Sequence, residues 1–303
     1  MSDDHDHHAV SSGWTLVVAI GLTLGFAVVE ALAGWWSGSL ALASDAGHMF
    51  TDGGALALAG AAAWLAKRPQ SNRHTYGFAR AEILAALLNA FFMLAVIAAI
   101  TVSAIERLRS PGPIAGEAVT IVAVIGLVVN LAVAWVLSRG ERNLNTRGAM
   151  VHVLGDLLGS VAALIAGLVV TYIGWTPIDP ILSMAIAALI LVSSVRLLRE
   201  ALHALMEGTP LHLPVEEIGR ALAAYPGVKA VHDLHVWTIS SDMISLSAHV
   251  VIEDMAQWGE LLADFGGLLQ RYGINHFTLQ HEPTIRKVYW RNRDTATPSV
   301  PIR

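Results

Sequence analysis

Two segments of the chain repeat one pattern, His48-x-x-x-Asp52 and His152-x-x-x-Asp156, and each lies inside a long apolar stretch. Residues four apart share a helix face, so each pattern sets an imidazole beside a carboxylate. Two such helices in contact offer two nitrogens and two oxygens to one point, a tetrahedral site for a divalent metal with zinc the best fit. Cadmium and cobalt suit the same donors, whereas manganese prefers oxygen alone. An ionisable group at the centre of a lipid-embedded helix costs about 2.5–3.5 kcal/mol on insertion scales, so four of them demand compensation, and a bound cation supplies it. The bland alternative, two separate polar patches that tie helices together, leaves the repeated spacing unexplained.

Other groups surround this quartet. Asp45 precedes His48 by three residues on the same helix face; it either orients the imidazole, as metal-bound histidines require, or accepts protons nearer one mouth. Glu30, Asn89 and Asn130 are further polar residues at membrane depth, read as helix-packing or pathway groups. Gly155-x-x-x-Gly159, with Gly47, Gly53 and Gly54 on the other segment, presents small faces that let two membrane helices touch. A second concentration of donors follows residue 208: His232, Asp233, His235, His249, His276, His281 and Glu282. On paired strands His232 and His249 face each other across a tight turn, with His281 or Glu282 arriving from the last strand. This is either a second metal site or a set of histidines on a polar sheet face. The start of the chain, with Asp3, Asp4, His5, Asp6, His7 and His8, is either a metal-collecting tail or a solvated end. His74 reads as an ordinary loop residue.

The elements that position these groups follow from composition. The chain is 54% hydrophobic and 14% charged, outside the range of soluble globular proteins, so it reads as an integral membrane protein. A net charge of -5 offers no broad basic surface for nucleic acid. With no cysteine, thiolate sites and disulfides are excluded, leaving His, Asp and Glu as ligands. No organic cofactor is indicated. Met1 to Ser12 lacks Lys and Arg, so no cleaved leader is expected. Apolar runs at about 13–35, 40–66, 81–105, 114–138, 149–174 and 178–198 each suffice to cross a bilayer, which takes about 20 residues. Lys67, Arg68, Arg73 and Arg80 lie in the second loop, Arg139, Arg142 and Arg147 in the fourth, and Arg196 and Arg199 after the sixth run. The first and fifth loops have neither Lys nor Arg, so both termini are expected in the cytoplasm.

Beyond residue 208 the hydropathy falls and shorter periods appear. A helix over Pro214–Tyr225, strands over Lys229–Ser240 and Met243–Glu253, a helix over Gln257–Tyr272 and a strand over Asn275–His281 give an α-β-β-α-β order and a small open-faced sandwich. The expected organisation is a His/Asp-rich tail at 1–12, an all-α six-helix transmembrane bundle at 13–208, an α+β domain at 209–283 and a loose tail at 284–303.

The stretch Gly38-Ser39-Leu40-Ala41-Leu42-Ala43-Ser44-Asp45-Ala46-Gly47-His48-Met49-Phe50-Thr51-Asp52 closely resembles the cation diffusion facilitator transporters of the zinc-exporting branch. So do Thr75-Tyr76-Gly77-Phe78-Ala79-Arg80-Ala81-Glu82, His152-Val153-Leu154-Gly155-Asp156 and Asp179-Pro180, and the likeness covers about residues 13–283. The resemblance implies six membrane helices, a cytoplasmic metallochaperone-like domain, and a homodimer in the lipid bilayer that exchanges divalent metal for protons. It implies transport by His48, Asp52, His152 and Asp156, and a regulatory Zn²⁺ site drawing on His232, His249 and Glu282. Two features depart from the pattern: the connection Arg139–Gly148 has no histidine, and the last strand reads Gln280-His281-Glu282-Pro283, where some bacterial members place a histidine one position before His281 and an aspartate before the proline. A bacterial inner membrane fits the compact loops. Two competing classes are a passive divalent-cation channel lined by acidic groups and an intramembrane zinc hydrolase. The hydrolase is disfavoured because four protein ligands leave no position for catalytic water.

Overall fold

The computed structural model describes residues 6–139, 144–240 and 243–283; the side chains of residues 6–19, 137, 139, 144–149, 151, 152 and 283 fall outside that description. The expectations for the His-rich start, the segment 140–143 and the tail after Pro283 therefore lie outside the described residues.

Among those residues six helices are long and apolar enough to cross a membrane: α1 (Asp6–Ser37), α2 (Leu40–Ala66), α3 (Ala81–Arg109), α4 (Gly116–Arg139), α5 (Leu144–Ile173) and α6 (Ile178–Leu205). Large side chains such as Leu32, Phe92, Val128 and Val192 are exposed along their flanks, as expected where lipid is the solvent. Trp35 and Trp36 near the end of α1, and Tyr172 and Trp175 near the end of α5, are exposed too and suit the headgroup boundary. Gly38, with φ 72°, and Gly174, with φ 75°, terminate α1 and α5 in the left-handed conformation that glycine adopts without steric cost. The sixth helix runs past the apolar stretch, which ends near residue 198, to Leu205. Nothing in Arg199–Leu205 breaks a helix; the stop comes at Glu207, itself at φ 59°, and Gly208.

The chain divides into two compact units, Met1–Gly60 with Ala86–Leu198, and Ala61–Ala85 with Arg199–Arg303. In the first, α4 packs against α5 and α1 against α4. Ala41 and Leu42 of α2 meet Val119 and Ala123 of α4 and Ala163 and Ala166 of α5 in one buried cluster, and Met93, Ile97 and Ile100 of α3 meet Ile186, Ala187 and Ile190 of α6 in another.

The second unit holds α7 (Val215–Ala223), β1 (Val228–Ser240), β2 (Met243–Ile252), a short 3₁₀ turn, α8 (Trp258–Arg271) and β3 (Ile274–Pro283). Its sheet order is β1-β2-β3, with β1 and β2 antiparallel and β2 and β3 parallel. The parallel pair needs a crossover, which α8 supplies. Ile218 and Leu222 on α7, and Leu261, Phe265 and Leu269 on α8, recur at helical spacing and are buried against Val231, Leu234, Leu246 and Val250 of the sheet. One sheet face is thus covered by helices and the other is free to carry polar side chains. The expected α-β-β-α-β unit is present, with strand and helix ends shifted by at most two residues. This unit also includes the connection between α2 and α3, where Tyr76 packs edge-on against His276 and Arg80 pairs with Glu207 at 3.1 Å. Hydropathy, which reports contact with lipid and not packing, gave no sign of that grouping.

Candidate metal centres

On α2, His48 and Asp52 stand one turn apart, with Nε2 3.7 Å from Asp52 Oδ2. Asp156, on α5, is 4% exposed. His152 lies one turn before it on the same helix, but its ring is outside the described side chains. The two helices meet at Gly159: a Cβ there would lie 2.6 Å from Asp45 Cγ. Only glycine lets α5 approach so near, which is the small-residue contact expected of Gly155-x-x-x-Gly159. Gly155 itself has nothing within 4 Å.

Asp45 is 1% exposed, and neither carboxylate oxygen has a hydrogen-bond partner among the described residues. The contact by which it would orient His48 is absent; the side chain is pressed against α5 instead. Glu30, fully buried on α1, sits where a Cβ on Gly126 of α4 would lie 3.1 Å from its Oε1. Asp156 is near enough to both Glu30 and Asp45 for the charges to interact. Asn130 of α4 donates from Nδ2 to Ser160 Oγ of α5 at 3.1 Å, a packing contact between helices. Buried carboxylates from α1, α2 and α5 thus gather in one region of the bundle.

A residue given no role in the sequence reading stands near one end of that bundle. Asp179, 0% exposed at the start of α6, accepts from Ser39 Oγ at 2.5 Å, Leu40 N at 2.6 Å and Ala41 N at 3.2 Å. These are the first groups of α2, whose N–H donors have no partner within their own helix. Arg107 of α3 donates to the Gly38 carbonyl and lies 3.9 Å from Asp179 Oδ2. Its position beside Pro180 was the available signal.

In the second unit the open sheet face carries a compact donor set. His232 and His249 are directly paired across β1 and β2, with ring centroids 5.2 Å apart. Glu282 of β3 reaches both: Oε2 is 3.2 Å from His232 Nε2 and Oε1 is 3.0 Å from His249 Nδ1. One ligand atom from each of the three lies within 4.8 Å of the others, two imidazoles and a carboxylate in the spacing that a single divalent ion spans. His281 does not join them. Its neighbour Glu282 faces the cluster, so alternation turns His281 to the opposite face, where its ring packs edge-on against Trp258 at 5.3 Å.

These features define a polytopic membrane protein with acidic and imidazole groups inside its bundle and a His-Glu cluster on a C-terminal α+β domain. Residues 16–206 match the cation efflux transmembrane domain, and residues 210–284 match the cytoplasmic domain of cation efflux proteins. The chain belongs to the cation efflux family, and so to transporters and not to enzymes. A Bacillus subtilis protein named cadmium, cobalt and zinc/H(+)-K(+) antiporter is 37% identical over 284 residues, which cover 92% of this chain and 91% of that protein. Zinc transporter ZitB of Escherichia coli is 42% identical over 271 residues, 88% of this chain and 86% of that one. Among solved structures, the metal-bound C-terminal domain of the CzcD transporter from Cupriavidus metallidurans is 37% identical and covers 23% of this chain and 99% of that domain, with a TM-score of 0.22.

Proposed function

We propose that the chain carries Zn²⁺, with Cd²⁺ and Co²⁺ as further substrates, out of the cytoplasm in exchange for protons, by alternating access around His48, Asp52, His152 and Asp156. The observation that carries this reading is the repeated His-Asp pair at membrane depth: His48 beside Asp52 on α2, Asp156 buried on α5, and α5 close against α2 at Gly159. The printed names of the relatives, a cadmium, cobalt and zinc antiporter and a zinc transporter, support it.

The chemistry follows from the donors. Imidazole and carboxylate hold metal only when deprotonated, so protons from the far side compete for the same atoms and release the ion there. Coupling meets a physical need, since moving a divalent cation out of a negative cytoplasm costs about 4.6 kcal/mol per 100 mV, which inward protons offset. Glu30 and Asp45 are pathway groups beside the quartet. The protein works as a homodimer in a bacterial inner membrane with both termini cytoplasmic, and His232, His249 and Glu282 bind Zn²⁺ as a regulator that tightens the dimer and favours transport. The test is metal-driven proton movement in proteoliposomes under imposed pH gradients with a panel of metals. Asp52→Ala and Asp156→Ala are expected to abolish it; exchange retained in either variant overturns the assignment.

A further inference from the structure

Beside the cytoplasmic cluster lies an irregularity that metal ligation by three residues does not explain. Strand residues alternate faces, so His232 and His235, three apart, belong on opposite sides of a regular β1, and Asp233 belongs in the core with Val231. Instead the register slips between His232 and His235, and Asp233 adopts φ 51°, a left-handed state that few residues besides Gly, Asn and Asp enter. This is a β-bulge. Val231 and Leu234 both remain buried, while His232, Asp233 and His235 come to one face.

The displaced carboxylate meets two rings. Asp233 Oδ1 is 3.1 Å from His235 Nε2, and Oδ2 is 3.8 Å from His249 Nε2. The other nitrogen of His249, Nδ1, is the one that faces Glu282 at 3.0 Å, so this ring stands between two carboxylates. A neutral imidazole has one N–H and one lone pair. If Nδ1 is to give its lone pair to an ion held with His232 and Glu282, the proton must sit on Nε2, the nitrogen turned toward Asp233.

We propose that Asp233 is a positioning residue for the cytoplasmic metal cluster, accepting the Nε2–H of His249 and so presenting the Nδ1 lone pair to the ion. The proposal rests on reading His232, His249 and Glu282 as a metal site. Without metal, His249 donates Nδ1–H to Glu282. As metal binds, the proton leaves Nδ1 to solvent and another is taken up on Nε2, so the ring ends neutral and the proton count is unchanged. His235 donates to the second oxygen of Asp233 and holds the plane of the carboxylate. The strained backbone at Asp233 is then the means by which a residue due to point inward is brought beside His249.

Zn²⁺ binding to the full-length protein in detergent, measured by competition with a chelating indicator, tests this. Loss of a binding class in Glu282→Ala and His249→Ala identifies the cluster's share of the isotherm. Asp233→Gly removes the carboxylate but suits the left-handed backbone, so thermal stability without metal is expected to hold or rise. The same variant is expected to weaken the cluster's affinity about 10–100-fold, the usual effect of losing a histidine's orienting partner. Asp233→Asn, which keeps the shape and one acceptor, is expected to fall between. Unchanged affinity in Asp233→Gly, with the class still lost in Glu282→Ala, overturns the proposal and leaves the metal site standing. A drop in the number of ions bound, with no change in affinity, overturns it by making Asp233 a ligand. An isotherm untouched by Glu282→Ala and His249→Ala removes the metal site and the proposal together.

Discussion

In the membrane site proposed above, two nitrogens and two oxygens would decide which ion is preferred. Replacing His48 by aspartate would leave one nitrogen and three oxygens, a harder set that favours Mn²⁺ relative to Zn²⁺. His48→Asp is therefore expected to raise the Mn²⁺ to Zn²⁺ uptake ratio by about tenfold or more, one decade for each ~1.4 kcal/mol of altered preference, in competitive uptake by proteoliposomes. An unchanged ratio would place His48 outside the ligand set. The placement of His48 beside Asp52 on one face of α2 was legible because a spacing of four is itself a statement about a helix face. The residues by themselves left His281 and Glu282 as alternatives, and only the family resemblance pointed to Glu282, although a signal existed in the strand: Phe277 and Leu279 pack on the helix-covered core, which turns odd positions of β3 inward and Glu282 outward. Asp233 gave no such warning. A bulge breaks the two-residue period without requiring a glycine, and the alternation on either side of it remains intact.

At the scale of the helix, α2 is held from outside itself. Its first turn is capped by a side chain from α6, since Asp179 takes the Leu40 and Ala41 N–H groups as well as the Ser39 hydroxyl. Hydrogen bonds to a charged partner contribute about 1.5–3 kcal/mol each and leave a larger penalty when one side is removed in a buried site. Asp179→Ala is expected to lower the unfolding midpoint in detergent by more than a typical surface substitution. Asp179→Asn recovers only part of the loss, because the amide turns a donor toward either Leu40 N–H or the Ser39–Ala41 pair. A wild-type midpoint in Asp179→Ala would show that the cap contributes nothing. Gly159 makes the complementary case at the other contact of α2. A methyl there must displace Asp45, and overpacking of this kind costs about 1–3 kcal/mol, so Gly159→Ala is expected to slow metal-driven proton movement while Gly155→Ala, with open space around it, leaves the rate near wild type. The small-residue spacing was readable in the sequence. Which of its two glycines carries the contact depends on the rotation of α5, and that is set by packing against α2 and α4.

For the whole molecule, a metal cluster proposed to sense the cytoplasm requires one orientation in the membrane. Six apolar runs were readable because lipid contact leaves its mark on every exposed position of a helix, and their orientation follows from where Lys and Arg cluster. The connection between α2 and α3 carries Lys67, Arg68, Arg73 and Arg80, and the end of α6 carries Arg196 and Arg199, whereas the connection between α1 and α2 has neither residue type. This predicts that Asn72 faces the cytoplasm and Ser110, beyond α3, faces the opposite side; both are exposed. Because the natural chain has no cysteine, a single introduced thiol is the only one present and its labelling is unambiguous. A membrane-impermeant maleimide is expected to modify Ser110→Cys in intact cells and Asn72→Cys only after permeabilisation. Arg107 and Arg109 work against this orientation from the Ser110 side, but Arg107 donates to the Gly38 carbonyl and lies beside the buried Asp179, which leaves less of its charge to bias insertion. The reverse labelling pattern would put the His232, His249 and Glu282 cluster outside the cell, where it could not sense cytoplasmic metal, and would overturn the regulatory role proposed for it.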